Sequence, residues 1–111
     1  MTGATGAIYG VRLLEVLQDS DVETHLVVSK WAQQTVEHET GHKIDYLRSL
    51  ADATYSSGDM GAAVSSGSFH TDGMVVVPCS MRTVASIATG VGDHLVHRAA
   101  DVILKERRKL V

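Results

Sequence analysis

The run Met74-Val75-Val76-Val77-Pro78 constrains the fold of this chain more than any other feature. Its apolar residues, mostly β-branched, leave no polar side for water, so the segment reads as a strand buried on both faces of a sheet. Strands of that kind belong to parallel sheets. Parallel strands need long crossovers, usually helical, so helical patterns should lie on either side of the run.

They do. Residues 7–19 place Ile8, Val11, Leu14, Val16 and Leu17 largely on one side and Arg12, Glu15 and Gln18 on the other, which is helical spacing. Residues 22–29 form a β-branched run of strand length, and residues 30–39 return to helix formers. The segment 40–73 is rich in Gly, Ser, Asp and His and reads as an irregular crossing, with short helical turns near 46–51 and 58–63. After the apolar run, residues 81–89 predict a helix closed by Gly90. Residues 93–107 predict another, with Asp93 as its N-cap. Lys109-Leu110-Val111 reads as a strand beginning, and Gly3-Ala4-Thr5-Gly6 as a strand-to-helix turn with a strand expected ahead of it. The alternation predicts an α/β fold: a Rossmann-like, three-layer parallel sheet with helices on both faces. We expect a single partial domain over residues 1–111, truncated at both ends. Ligands of such sheets bind beyond the C-terminal strand ends.

Charge and composition exclude several classes. Ten basic against thirteen acidic residues give a net charge of −3, which offers no general attraction to nucleic acid or to an anionic membrane. No stretch reaches the roughly 18 apolar residues of a membrane span. The single cysteine, Cys79, rules out an internal disulfide framework and fits a reducing cytoplasm.

Chemistry-bearing residues gather at the expected strand ends. The turn Thr2-Gly3-Ala4-Thr5-Gly6 can aim N–H groups and a hydroxyl at an anion, or can serve only close helix packing. Pro78-Cys79-Ser80-Met81-Arg82-Thr83 releases two hydroxyls and several N–H groups where a strand meets a helix, which suits a phosphate or a flavin. Cys79 has no evident His–carboxylate partner in the sequence and reads as a small apolar residue. Ser65-Ser66-Gly67-Ser68 is a third cluster of hydroxyls. His38, Glu39 and His42 stand at His-Glu-x-x-His spacing, but Gly41 between the two histidines interrupts a helix, so they read as solvated side chains and not as a metal site. Arg98 and Lys105 lie seven positions apart, on one helix face, where they could clamp a phosphate or simply meet water.

Three segments taken together resemble one family: Met1 to Gly10, Val77-Pro78-Cys79-Ser80 with Thr83, and Arg98 to Arg108. They are similar to the UbiX-type flavin prenyltransferases. Val22 to Ala32 is especially similar to the branch named for phenolic acid, or hydroxyarylic acid, decarboxylases, a name that describes the partner enzyme's reaction. The likeness runs along the whole chain, through Ser29 and Ser66-Gly67-Ser68. It implies a flavodoxin-like fold, FMN as cofactor and dimethylallyl phosphate as co-substrate. It further implies a product, prenylated FMN, passed to a UbiD-type decarboxylase, a homododecamer with sites at subunit interfaces, and no required metal.

Matching position by position, the resemblance places Gly3, Ala4 and Thr5, then Ser29, then Ser80, Met81, Arg82 and Thr83 around FMN. Ser66, Gly67, Arg98 and Lys105 correspond to binders of the prenyl phosphate. Glu39 corresponds to the active-site carboxylate, and Thr5 is placed with it as a catalytic residue. Thr5 departs from the family's usual serine but keeps a hydroxyl. The family also has a strand ahead of the turn and continues past the position of Val111 with residues that complete the phosphate site. Two other readings are an FMN-binding or carrier flavoprotein without turnover, and a phosphopantothenoylcysteine decarboxylase-like flavoenzyme, whose His and Asn motif is not recognisable here.

Overall fold

A computed structural model describes all residues, 1–111. The elements follow in the order α1 (Ala7–Gln18), β1 (His25–Val28), α2 (Lys30–Thr40), α3 (Ile44–Leu50), β2 (Ala53–Ser56), a 3-10 turn (Ala63–Ser65), β3 (Gly73–Met74), α4 (Met81–Thr89), α5 (Leu95–Lys105) and β4 (Lys109–Leu110). β1 pairs in parallel with β2, His25 facing Ala53, and β3 pairs in parallel with β4, Gly73 facing Lys109. Between the two pairs lie Met1 and Thr2. The Met1 nitrogen donates to the Val27 carbonyl at 2.7 Å, the Ser29 amide donates to the Met1 carbonyl, and the Thr2 amide donates to the Pro78 carbonyl, both at 3.1 Å.

Alternation along β1 makes the three layers. Leu26 and Val28 enter one apolar cluster with Val11 and Leu14 of α1, Ala32 and Val36 of α2, and Leu47 of α3. Val27 points the other way, into a cluster with Val76 and with Leu95 and Val96 of α5. Both faces of the strand are thus dry, as a parallel sheet requires. Val11, Val36 and Leu47 have no exposed surface, and truncating Leu47 to alanine would cost about 2–5 kcal/mol. No helix is long and apolar enough to cross a membrane.

Four expectations need correction. The second strand is shorter than residues 22–29, because the Thr24 amide is taken by the Asp52 carboxylate (2.7 Å) and Val22 is exposed ahead of the ladder. The crossing 40–73 contains a strand, β2, whose half-exposed Ala53-Thr54-Tyr55-Ser56 carries little apolar signal. Its helical turn near 58–63 falls instead at Ala63–Ser65. The run 74–78 is ladder-paired only at its start and through Val76, whose amide donates to the Val111 carbonyl; Val75 is exposed, so the run is not dry on both faces. Asp93 does not cap the last helix. His94 holds that position without a side-chain bond, while the Asp93 carboxylate turns to Arg82 and His97.

Candidate functional site

Three helix N-termini converge on the dipeptide Met1-Thr2. Ser29, which opens α2, hangs from the Met1 carbonyl by its amide. Ser80, which opens α4, donates its amide to Thr2 Oγ1 at 2.9 Å, and Thr2 Oγ1 donates in turn to the Pro78 carbonyl at 2.7 Å. Four residues beyond Thr2, Gly6 opens α1 in the left-handed region at φ 98°, where glycine is favoured. Ser29 Oγ accepts from the Ala32 amide and Ser80 Oγ from the Thr83 amide, both at 3.2 Å. Capping at the third amide leaves the first two of each helix, Lys30 and Trp31 in α2 and Met81 and Arg82 in α4, without intrahelical partners. Together with the helix dipoles, these donors favour an anion.

α1 is different, because its positive end is already filled. Glu39, from the last turn of α2, accepts from the Gly6 amide at 3.0 Å and the Ala7 amide at 2.9 Å through one oxygen, Oε2. The glycine turn therefore presents its Gly6 and Ala7 donors to Glu39 and not to a phosphate. Oε1 stays without a partner on an exposed side chain. Gly3 is needed for close approach: a Cβ there would sit 2.7 Å from Trp31 Cβ and 3.1 Å from the Trp31 carbonyl carbon. Ala4 is half-buried and Thr5 exposed, at the open side of the turn.

Ser80 and Thr83 also bond each other, Oγ to Oγ1 at 3.0 Å, and Thr83 is buried. Arg82 Nη2 donates to Asp93 Oδ2 at 3.1 Å. Cys79 is half-buried, and burial pushes its thiol upward, toward the protonated form. That fits the apolar reading of this residue.

A second group forms where the 3-10 turn meets α5. Arg98 Nε donates to the Ser65 carbonyl at 3.1 Å, and its Nη1 pairs with Asp101 at 3.0 Å. The Lys105 ammonium, 2.8 Å from Glu106 Oε1, would lie 3.0 Å from a Cβ at Gly67. Ser66 bonds Ser68, hydroxyl to hydroxyl, at 2.8 Å. Arg98 and Lys105 thus frame the Ser65–Gly67 backbone. No hydrogen bond or ion pair joins this group to the one around Thr2.

Sequence reasoning overlooked several residues of these two groups. Thr2 is 4% exposed and ties two loops together, yet a threonine beside glycines carries no special signal. Arg108 fixes the serine loop, Nη2 donating to the Gly67 carbonyl and Nη1 to the Phe69 carbonyl, both at 2.9 Å. Trp31 (68% exposed) and Tyr9 (71%) stand beside two of the helix starts, as Met81 (79%), which was predicted, stands beside the third. Aromatic residues within three positions of a Gly6 or Ser29 helix start were the findable signal.

A cavity of about 680 Å³ lies apart from the Thr2 group, between β1 and the 74–77 segment, with α1 and α5 at its sides. Leu14, Leu26, Met74 and Ile103 are among its walls, and of the predicted ligand residues only Ser66 reaches it. It is the gap between the two strand pairs, which Met1 and Thr2 bridge at one end.

The fold has close counterparts. The chain is 55% identical to AnUbiX (PadA1), crystallised in complex with FMN and dimethylallyl pyrophosphate; the TM-score is 0.97 over 99% of this chain and 58% of that one. A dodecameric FMN-dependent UbiX-like decarboxylase from Escherichia coli O157:H7 aligns with a TM-score of 0.95 at 53% identity, over 99% of this chain and 63% of that one. In sequence, the chain is 63% identical over 111 residues to a probable UbiX-like flavin prenyltransferase of Bacillus subtilis, covering all of itself and 54% of that relative. It is 60% identical over 112 residues to the flavin prenyltransferase LpdB of Lactiplantibacillus plantarum, of which it covers 60%. The chain thus spans little more than half the length of these curated relatives. The family model described as Flavoprotein matches residues 1–111 in full, and the chain belongs to the flavoprotein family.

Proposed function

We propose that this chain forms the flavin-binding part of a flavin prenyltransferase, which joins the dimethylallyl group of dimethylallyl phosphate to reduced FMN. The convergence of the α2 and α4 N-termini on Thr2, beside exposed Trp31, Tyr9 and Met81, carries the reading. Unpaired amides suit the phosphate of FMN, and flat or flexible apolar side chains suit its ring system. Bound in the reduced state, FMN supplies the electron-rich ring that takes up the dimethylallyl group as phosphate departs.

Each residue then has a task. Ser29, Ser80 and Thr83 hold the helix starts in place, so that the amides of Lys30, Trp31, Met81 and Arg82 meet the flavin phosphate. Gly3, Ala4 and Thr5 border the ring. Arg98 and Lys105 neutralise the leaving phosphate over the Ser66-Gly67 backbone, an electrostatic role that grows as the ester bond breaks. Glu39 takes up a proton at Oε1 while Oε2 keeps its two amide bonds, so the base stays fixed during transfer.

Three further assignments complete the reading, the first supported by a solved relative and the other two by family resemblance alone. The assembly is a homo-oligomer, a dodecamer in its full form, like the Escherichia coli structure. The product serves a UbiD-type decarboxylase, and the work takes place in the cytoplasm. The test is anaerobic incubation of the chain with reduced FMN and dimethylallyl phosphate, followed by the mass of the released flavin. A gain of one dimethylallyl unit is the expected result. Unaltered FMN that nevertheless co-purifies with the chain would favour a flavin carrier, and absence of both would overturn the reading.

A further inference from the structure

We propose that Asp93, His94 and His97 form a binding site for a divalent transition metal of the zinc class, at the corner between α4 and α5. One ligand atom from each lies within 4.8 Å of the others. The two imidazoles stack with ring centroids 3.8 Å apart. His97 is only 4% exposed, yet its Nε2 has no hydrogen-bond partner, and His94 Nδ1 is buried and unpartnered as well. Two orphaned ring nitrogens in one place are unfavourable in a folded protein unless something satisfies them.

The donor set suits such an ion. Two imidazoles and a carboxylate are common zinc ligands, and three protein ligands leave a position for water. His97 Nδ1 already accepts from the Asp93 amide at 3.4 Å and faces Asp93 Oδ1 at 3.5 Å, which leaves Nε2 as the free ligand nitrogen of His97, while Asp93 Oδ2 is held by Arg82. Zinc bonds near 2.0–2.1 Å would bring neighbouring ligand atoms to about 3.3 Å of one another. The rings therefore unstack and the Asp93 carboxylate swings inward. Asp93 is exposed and His94 precedes the helix in extended backbone, so both can move while His97 stays anchored. The site tightens the loop between Gly90 and His94, and it stands independently of any flavin chemistry.

The test uses the chain without flavin. Cobalt(II) is titrated while the visible absorption of low-symmetry cobalt is followed, and zinc is then used to displace it. One equivalent should bind, with a rise in melting temperature on addition of zinc. His94→Asn and Asp93→Asn should each weaken binding about tenfold or more, while Cys79→Ser and His42→Gln should leave it unchanged. His97 is left intact because its ring is part of the core. Absence of binding, or binding that survives both His94→Asn and Asp93→Asn, would overturn the proposal and leave a stacked pair of neutral imidazoles.

Discussion

The Glu39 carboxylate accepts a hydrogen bond from the Ala7 amide at 2.9 Å, so the last turn of α2 caps the first turn of α1 across 32 residues. One side chain therefore has a structural and a chemical task, and two substitutions separate them. Glu39→Gln keeps an acceptor for the Gly6 and Ala7 amides but has no carboxylate to take up a proton. We expect its melting temperature to stay within about a degree or two of the parent while prenyl transfer falls about 10²-fold or more. Glu39→Ala should lose the same activity and also about 1 kcal/mol of stability, the usual cost of a lost cap. Thermal melts and turnover measured side by side on both variants check this.

Thr2 joins the glycine turn to the Pro78–Ser80 loop with one donated and one accepted hydrogen bond. Thr2→Val keeps the shape, strands the half-buried Ser80 amide, and should lower stability by about 1–3 kcal/mol in urea unfolding. Thr2→Ser should recover most of that loss. Equal stability of all three proteins would show that the hydroxyl is not a tie.

Two glycines should respond in opposite ways. A methyl at Gly3 meets the backbone of Trp31, which cannot move without shifting α2, so Gly3→Ala should cost about 1–3 kcal/mol and weaken flavin binding. A methyl at Gly67 meets only the flexible ends of Lys105 and Glu106. Gly67→Ala should leave the melting temperature nearly unchanged but displace Lys105 and raise KM for dimethylallyl phosphate, about tenfold. Steady-state kinetics beside melts separates the two.

Acid should loosen the β1–β2 pair first at Asp52. Its carboxylate accepts from the Thr24 amide at 2.7 Å and from Thr24 Oγ1 at 2.9 Å, and these bonds hold its pKa below the ordinary value. A depressed folded-state pKa stabilises the fold at pH values above the unfolded pKa, about 4, and the gain is lost as pH falls through the folded value. Asp52→Asn should therefore be less stable than the parent at neutral pH, with a difference that shrinks in acid. A constant difference from pH 7 to pH 2 would contradict this reading of the Asp52–Thr24 contact.

Much of this architecture was legible in the sequence because it depends on local signals. The 3.6-residue spacing of α1, the β-branched core of β1, and serines immediately ahead of α2 and α4 each announce themselves within a few positions. β2 did not, since an edge strand exposed on alternate residues needs the Asp52–Thr24 contact to set its register. Asp93 looked like a cap because aspartate commonly is one, but a guanidinium and an imidazole brought near by folding won its carboxylate. The phosphate-binding character of the glycine turn was likewise plausible locally, and it was Glu39, 32 residues on from Ala7, that took those amides. The pairing of Arg98 with the Ser65 loop was suggested only through resemblance, as helical spacing alone fits a solvated face equally well.

The most direct test is a fluorescence titration of FMN with the chain and with its Gly3→Val variant, because the central claim is that flavin sits where α2 and α4 begin around Thr2. The expected result is saturable binding of one flavin per chain, accompanied by quenching of Trp31 emission, and at least a tenfold weaker affinity in the variant, about 1.4 kcal/mol. Equal binding by both proteins, or binding that leaves Trp31 emission unchanged, would contradict the claim.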